Sequence, residues 1–369
     1  MTPADPNPVG GDAVDESSRT DFVKNSRTES APTLLQVEDL RVEFDTYGGT
    51  VQAVRGVSFS VDSGETLAIV GESGCGKSVT VQSIMGLIPM PPGRITSGTA
   101  KLRGVDIIGR KLIDGEDIRG GQVGMIFQDP MSSLNPTMNI GSQIAETLEV
   151  HRGYSKKQAF QRAIELLDMT RIPEAAKRAR QYPFEFSGGM LQRSMIAMAI
   201  ACEPAILIAD EPTTALDVTI QAQVLDLMSE LQRETGMAII LITHDLGVVA
   251  RMADQVAVMY AGQIAEKGSV DDIFYRSAHP YTLGLRAAMP NNDPTRAHEL
   301  NPIDGSPPDL FDPPTGCAYA ARCPHAMQVC GNSDPEPYFM AKQHFARCWQ
   351  HHDSALSRVD GLYYREASA

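Results

Sequence analysis

The apolar positions of this chain change period as they run along it, and each change predicts an element. Leu34 to Phe44 and Val51 to Val61 alternate apolar and polar residues, predicting two antiparallel strands broken at Asp45-Thr46-Tyr47-Gly48-Gly49. Thr66-Leu67-Ala68-Ile69-Val70 does not alternate, as expected of a strand buried on both faces. It stops at Gly71, and a helical period takes over from Lys77 to Ile88. A proline-rich break, Pro89 to Pro92, precedes strand-like runs at Gly98 to Ile108 and Val123 to Phe127. From there to about Phe184 the period is helical, with Ser155 as an N-cap before Phe160, Ile164 and Leu167 at i, i+4 and i+7.

An apolar helix from Ser194 to Cys202 follows, then a buried strand, Ala205 to Ala209, that ends in Asp210-Glu211-Pro212. A helix opens at Ala215-Leu216-Asp217, buries Ile220, Val224, Leu227, Met228 and Leu231, and closes at Gly236; another buried strand, Met237 to Ile242, ends at Thr243-His244-Asp245. Buried strands alternating with helices, with charge at the strand C-termini, predict a parallel α/β sheet whose ligand lies along that edge. Residues 1–33 are polar and rich in Pro, Asp, Ser and Gly, which predicts a disordered tail.

The chemistry begins where the first buried strand ends. Gly71-Glu72-Ser73-Gly74-Cys75-Gly76-Lys77-Ser78 stands between a strand and a helix, as a phosphate-binding loop requires. Gly71, Gly74 and Gly76 let backbone N–H groups close around the phosphates of a nucleotide. Lys77 supplies a cation and Ser78 a hydroxyl ligand for Mg²⁺. Tyr47, about thirty residues earlier, reads either as a surface aromatic or as a ring placed to stack on a purine.

Charge and cysteine usage narrow the classes. The 369 residues carry 46 acidic against 32 basic side chains, a net charge of −14, so a nucleic-acid role has no electrostatic footprint. No apolar stretch reaches the roughly 18 to 20 residues that cross a bilayer, which predicts a cytosolic or peripheral protein. Of six cysteines, Cys317, Cys323, Cys330 and Cys348 fall in one short C-terminal stretch, a pattern that in a reducing compartment points to a metal or cluster site rather than disulfides.

Taken together, residues 34 to about 268 resemble the nucleotide-binding subunit of an ATP-binding cassette (ABC) transporter. The resemblance implies an ABC-type P-loop NTPase cassette: a RecA-like α/β core, an antiparallel β subdomain and an α-helical subdomain at about 129–186. It implies that Gly71 to Ser78, with Val79 following, form the Walker A loop that binds ATP. Gln128 is the Q-loop residue, and Ser187-Gly188-Gly189 the ABC signature. The resemblance further implies that Asp210 and Ser78, with Gln128, hold Mg²⁺, that Glu211 is the catalytic glutamate, that Ala215-Leu216-Asp217 is the D-loop and that His244 is the switch histidine. Tyr47 falls where the adenine-stacking aromatic lies. Two cassettes face head to tail, so that Ser187, Gly188 and Gly189 complete the partner's ATP site, and closure drives membrane helices.

Finer motifs narrow the subfamily. Phe186-Ser187-Gly188-Gly189-Met190, the run from Phe127 to Pro136, and His279-Pro280-Tyr281-Thr282 resemble ATP-binding subunits of dipeptide and oligopeptide importers, a group that includes nickel-importing relatives. Leu191 stands where that subfamily usually has an arginine. The cysteines fit iron–sulfur ligation, zinc or free thiols; Cys323-Pro324 is a step familiar from iron–sulfur sites. The resemblance implies a [4Fe–4S] cluster in an extension over 269–369. The implied partners are a second, non-identical cassette, two transmembrane permeases and an extracytoplasmic substrate-binding protein, with the chain peripheral on the cytoplasmic face of the membrane. Two other readings are a soluble ABC ATPase acting on nucleic acid or ribosomes, against which acidity and the single cassette argue, and a non-hydrolytic regulatory cassette, against which Glu211 and His244 argue.

Overall fold

In the computed structural model, which describes residues 33–113, 115–214, 216–289, 302–355 and 359–364, the alternating segments form a hairpin. Strands β1 (Thr33–Thr46) and β2 (Gly49–Asp62) pair antiparallel across a turn at Tyr47-Gly48. The buried positions of β1 pass from odd (Leu35, Val37) to even (Leu40, Val42), because a bulge at Asp39, φ 43°, inserts one residue and turns the strand over. The tail expected over 1–33 lies almost wholly outside the described residues, as does Ala215.

Strand β3 (Thr66–Val70) leads through the glycine loop into helix α1 (Lys77–Ile84). After it come β4 (Gly93–Leu102) and β5 (Val105–Asp106), which complete a four-stranded sheet in the order β2-β1-β4-β5. A short hairpin of β6 (Leu112–Ile113) and β7 (Glu116–Asp117) precedes β8 (Val123–Ile126). Helices α2 (Pro130–Ser133), α3 (Ile140–Arg152), α4 (Lys156–Met169) and α5 (Ala175–Arg178) form the helical layer. Ser155 is the N-cap of α4, as its sequence predicts, and its N–H donates to the Gln158 side chain. Ile140, Ile144, Leu148, Ala163, Leu166 and Leu167 interlock with helix α6 (Gly188–Ile200), which starts at the signature glycines, before the expected Ser194. Leu191 is buried in this core, where an apolar side chain belongs.

The rest of the chain builds the main sheet. Strand β9 (Ile206–Asp210), helix α7 (Val218–Thr235), β10 (Ala238–Thr243), helix α8 (Leu246–Met252) and β11 (Gln255–Tyr260) give a parallel order β8-β9-β10-β3-β11. Every residue of β3, β9 and β10 is buried, so these strands need no alternation. Helix α7 buries Val224, Leu227, Met228 and Leu231 as predicted, while Ile220 is only partly covered.

Beyond β12 (Gln263–Ser269) the chain stays attached to this sheet. Helices α9 (Val270–Tyr275), α10 (Pro280–Ala287) and α11 (Gln328–Asn332) are followed by β13 (Tyr338–Ala341) and β14 (His344–Ala346). Strand β14 pairs antiparallel with β12, extending the sheet to eight strands. The junction is a buried carboxylate: Glu266 on β12, fully enclosed, accepts from the N–H groups of Ala278 and His279 at 2.7 and 2.9 Å and meets His344 Nε2 at 2.9 Å. Glu266→Ala strands two amide donors and a histidine in a dry interior, and is expected to cost about 3 to 5 kcal/mol, read as a fall in the urea midpoint.

Candidate functional site

The parallel strands end together, and their C-terminal edge carries the chemistry. At Val70 the chain enters the phosphate loop, where two glycines are steric necessities. A Cβ on Gly76, at φ 98°, would lie 2.4 Å from the carbonyl oxygen of Ala53, and one on Gly71 would lie 2.1 Å from that of Met259. Lys77 is buried, its Nζ donating to the carbonyls of Gly71 at 2.8 Å and Glu72 at 3.0 Å inside the loop. Ser73 and Gly74 are exposed and Val79 half-buried. The Cys75 thiol is buried, and burial pushes its pKa up, with Lys77 pulling the other way.

Ser78 Oγ donates to Asp210 Oδ1 at 2.9 Å, which sets two oxygens side by side at the head of α1 and the end of β9, a donor set suited to Mg²⁺. Burial raises the Asp210 pKa; the Ser78 hydroxyl opposes the shift, Glu211 adds to it and Lys77 opposes it. Glu211 takes φ 48°, rare for a residue with a side chain, and its N–H donates to Ile242 O at 2.9 Å. Its carboxylate is gripped from three sides. Gln128 Nε2 donates to Oε2 at 3.1 Å, Thr214 Oγ1 to the same oxygen at 2.9 Å, and His244 Nδ1 lies 3.4 Å from Oε1. The structure therefore gathers Lys77, Ser78, Gln128, Asp210, Glu211 and His244 at one edge. Thr214 was not foreseen, being a single hydroxyl in a turn.

The other expected residues lie elsewhere on the surface. Ser187 is the N-cap of α6, its Oγ accepting from Met190 N at 3.4 Å, and Gly188 is exposed beside it. Gly189 is forced by packing, since a Cβ would meet Ile220 Cγ2 at 2.8 Å. Asp217 is exposed and caps α7, its Oδ1 accepting from Thr219 and Ile220 N–H at 3.0 Å each. Tyr47 stands fully clear of the protein at 114% exposure, a ring with both faces free. His279 caps α10 through Nδ1, and burial holds its pKa down at about 3. From the same motif Tyr281 reaches the phosphate loop, its Oη accepting from Glu72 N–H at 3.0 Å.

Cys317, Cys323, Cys330 and Cys348 are free thiols; Cys330 and Cys348 are buried, the other two half-buried. Cys317 N–H donates to Cys330 O at 2.8 Å. Burial raises the Cys348 and Cys317 pKa values, the latter to about 11, and neighbouring thiols push both further. Among the described residues no three or more His, Cys, Asp or Glu side chains are arranged ready for a metal ion.

A glycine-lined loop, a hydroxyl–carboxylate pair and a clamped glutamate at one parallel edge define an ABC-type ATPase. The ABC transporter family model matches residues 54–214, and the model for the oligopeptide/dipeptide transporter C-terminal region matches 265–330. The chain is 55% identical over 322 residues to the oligopeptide transport ATP-binding protein OppD of Bacillus subtilis, covering 87% of this chain and 90% of the relative. It is 56% identical over 318 residues to that organism's dipeptide transport ATP-binding protein DppD, covering 86% and 94%. Among solved structures, the ATP-binding cassette MJ0796, dimeric and bound to ADP and Pi, matches at TM-score 0.56 and 26% identity, over 64% of this chain and 99% of that one. This chain belongs to the family of ATP-binding subunits of oligopeptide and dipeptide ABC transporters.

The left-handed Gly76 gives a direct check of the loop. Gly76→Ala puts a methyl group into the Ala53 carbonyl, so the loop must open; binding of a fluorescent ATP analogue is expected to fall by at least about tenfold, measured by anisotropy.

Proposed function

We propose that this chain hydrolyses ATP to power peptide import, as one of two non-identical cassettes beneath a pair of membrane permeases fed by an extracytoplasmic binding protein. The observation that carries the catalytic reading is the clamped Glu211 beside the Ser78–Asp210 pair. The phosphate loop holds the β- and γ-phosphates, and Lys77 turns from the loop carbonyls to meet them. Tyr47 stacks on the adenine. Ser78, Asp210 and Gln128 would hold Mg²⁺, which would neutralise the charge developing on the phosphates. Glu211 polarises the attacking water, taking up its proton as the water oxygen bonds to the γ-phosphorus and the bond to the β–γ bridging oxygen breaks, releasing ADP, while Gln128 and Thr214 fix the carboxylate's orientation. His244, largely exposed, donates to the γ-phosphate and steadies Glu211.

Ser187, with the N–H groups of Gly188 and Gly189, serves the ATP of the partner cassette from the N-terminus of α6, and Asp217 lines the same junction. No helix among the described residues is long and apolar enough to cross a membrane, consistent with a peripheral subunit docked on the cytoplasmic face. Cys317, Cys323, Cys330 and Cys348 would hold a [4Fe–4S] cluster after rearranging, since as they stand no three of them are set for a metal ion. The support is four thiols near enough to shift one another's ionisation, together with the Cys323-Pro324 step. Ligation removes the thiol protons that burial now retains.

Glu211→Gln is expected to bind ATP normally while steady-state hydrolysis by the assembled importer falls at least about hundredfold and peptide uptake stops; undiminished hydrolysis excludes Glu211 as the catalytic base. Anaerobic purification of the chain is expected to yield about four iron and four sulfide per chain. A colourless protein with stoichiometric zinc would overturn the cluster.

A further inference from the structure

Glu72 is the second residue of the phosphate loop, and its carboxylate belongs to a loop built to receive a polyanion. Left alone it would repel ATP. Its partner comes from far along the chain: Arg322 grips it with both prongs of the guanidinium, Nη1 to Oε2 at 2.6 Å and Nη2 to Oε1 at 3.0 Å. The side chains are 5% and 26% exposed respectively, so solvent screens this pair far less than a surface pair. Arg322 is itself fixed: Nε donates to Asp304 O at 2.9 Å, Nη2 to Ile303 O at 3.2 Å and Nη1 to Tyr260 Oη at 3.3 Å, with the guanidinium 5.8 Å from the Tyr260 ring.

The backbone of Glu72 is held as well. Its N–H donates to Tyr281 Oη and its carbonyl accepts from Lys77 Nζ. When Lys77 turns to the phosphates, that last contact is lost, and Arg322 and Tyr281 remain to keep the loop in shape. We propose that Arg322 is a positioning residue for ATP: it neutralises Glu72 and holds the phosphate loop in its binding form from the C-terminal part of the chain. The inference rests on ATP occupying this loop, and Lys77→Ala checks that separately.

The test is an equilibrium titration of the full-length chain with a ribose-labelled fluorescent ATP, in Mg²⁺ and moderate salt, with thermal unfolding recorded for each variant. Arg322→Gln leaves Glu72 charged and uncompensated, and is expected to raise the dissociation constant about tenfold. Hydrolysis by the assembled importer at saturating ATP should stay within about twofold, since the chemistry lies on other residues. Glu72→Gln removes the charge that needs compensation, so in the Arg322→Gln background it should bring the dissociation constant back to within about threefold of the unsubstituted chain. Damage to the neighbouring Cys323 site could not be repaired in this way. Unchanged binding by Arg322→Gln, or a double variant as weak as Arg322→Gln, overturns the proposal. If Arg322→Gln does not fold, Arg322→Lys carries the test: it keeps the charge but loses the fork, and should bind about threefold more weakly, whereas unchanged binding again overturns the proposal. Lys77→Ala should abolish binding; if it does not, the ATP-site reading fails rather than the role of Arg322.

Discussion

The parallel register of β3, β10 and β9 sets the distances on which the chemistry rests. Thr243 pairs with Val70, and Ile242 with Asp210, so three strands reach the same edge within a residue of one another. Because these strands are buried on both faces, sliding one against its neighbours would break packing on two sides at once. The 2.9 Å contact between Ser78 and Asp210 joins the first of these strands to the last and has no slack of its own. The helices cover the sheet; the sheet spaces the reacting groups.

Glu211 shows how the edge stores strain. A left-handed backbone on a non-glycine residue costs on the order of 1 to 3 kcal/mol and persists only where surroundings enforce it. Here the enforcement is its N–H bond to Ile242, which borrows an acceptor from the next strand, and the two donors that fix its carboxylate. The strained turn points the carboxylate across the edge rather than along β9, toward Gln128 and His244.

The legible parts of the molecule are those whose reasons are local. The Tyr47 turn, the Gly71 to Ser78 loop, the cap at Ser155, and the buried strands each carry their cause within a few residues. Helix α6 begins six residues before Ser194 because the Ser187 side chain caps it at Gly188, and Gly189 there leaves room for Ile220. Strand β14 escaped notice at three residues, its place fixed by Glu266 rather than by its own pattern. Thr214 and Arg322 were illegible for a plainer reason: each acts through one partner, and a single hydroxyl or guanidinium leaves no period to read.

Glu72 and Arg322 are separated by 250 positions in the chain. At ribosomal speeds of about 5 to 20 residues per second, the phosphate loop emerges roughly ten to fifty seconds before the guanidinium that neutralises it. For that interval the nascent cassette carries its glycines, its lysine and an unmatched carboxylate in the same loop. The order of synthesis thus makes full affinity for nucleotide a late property of the protein, acquired after all five parallel strands have been made.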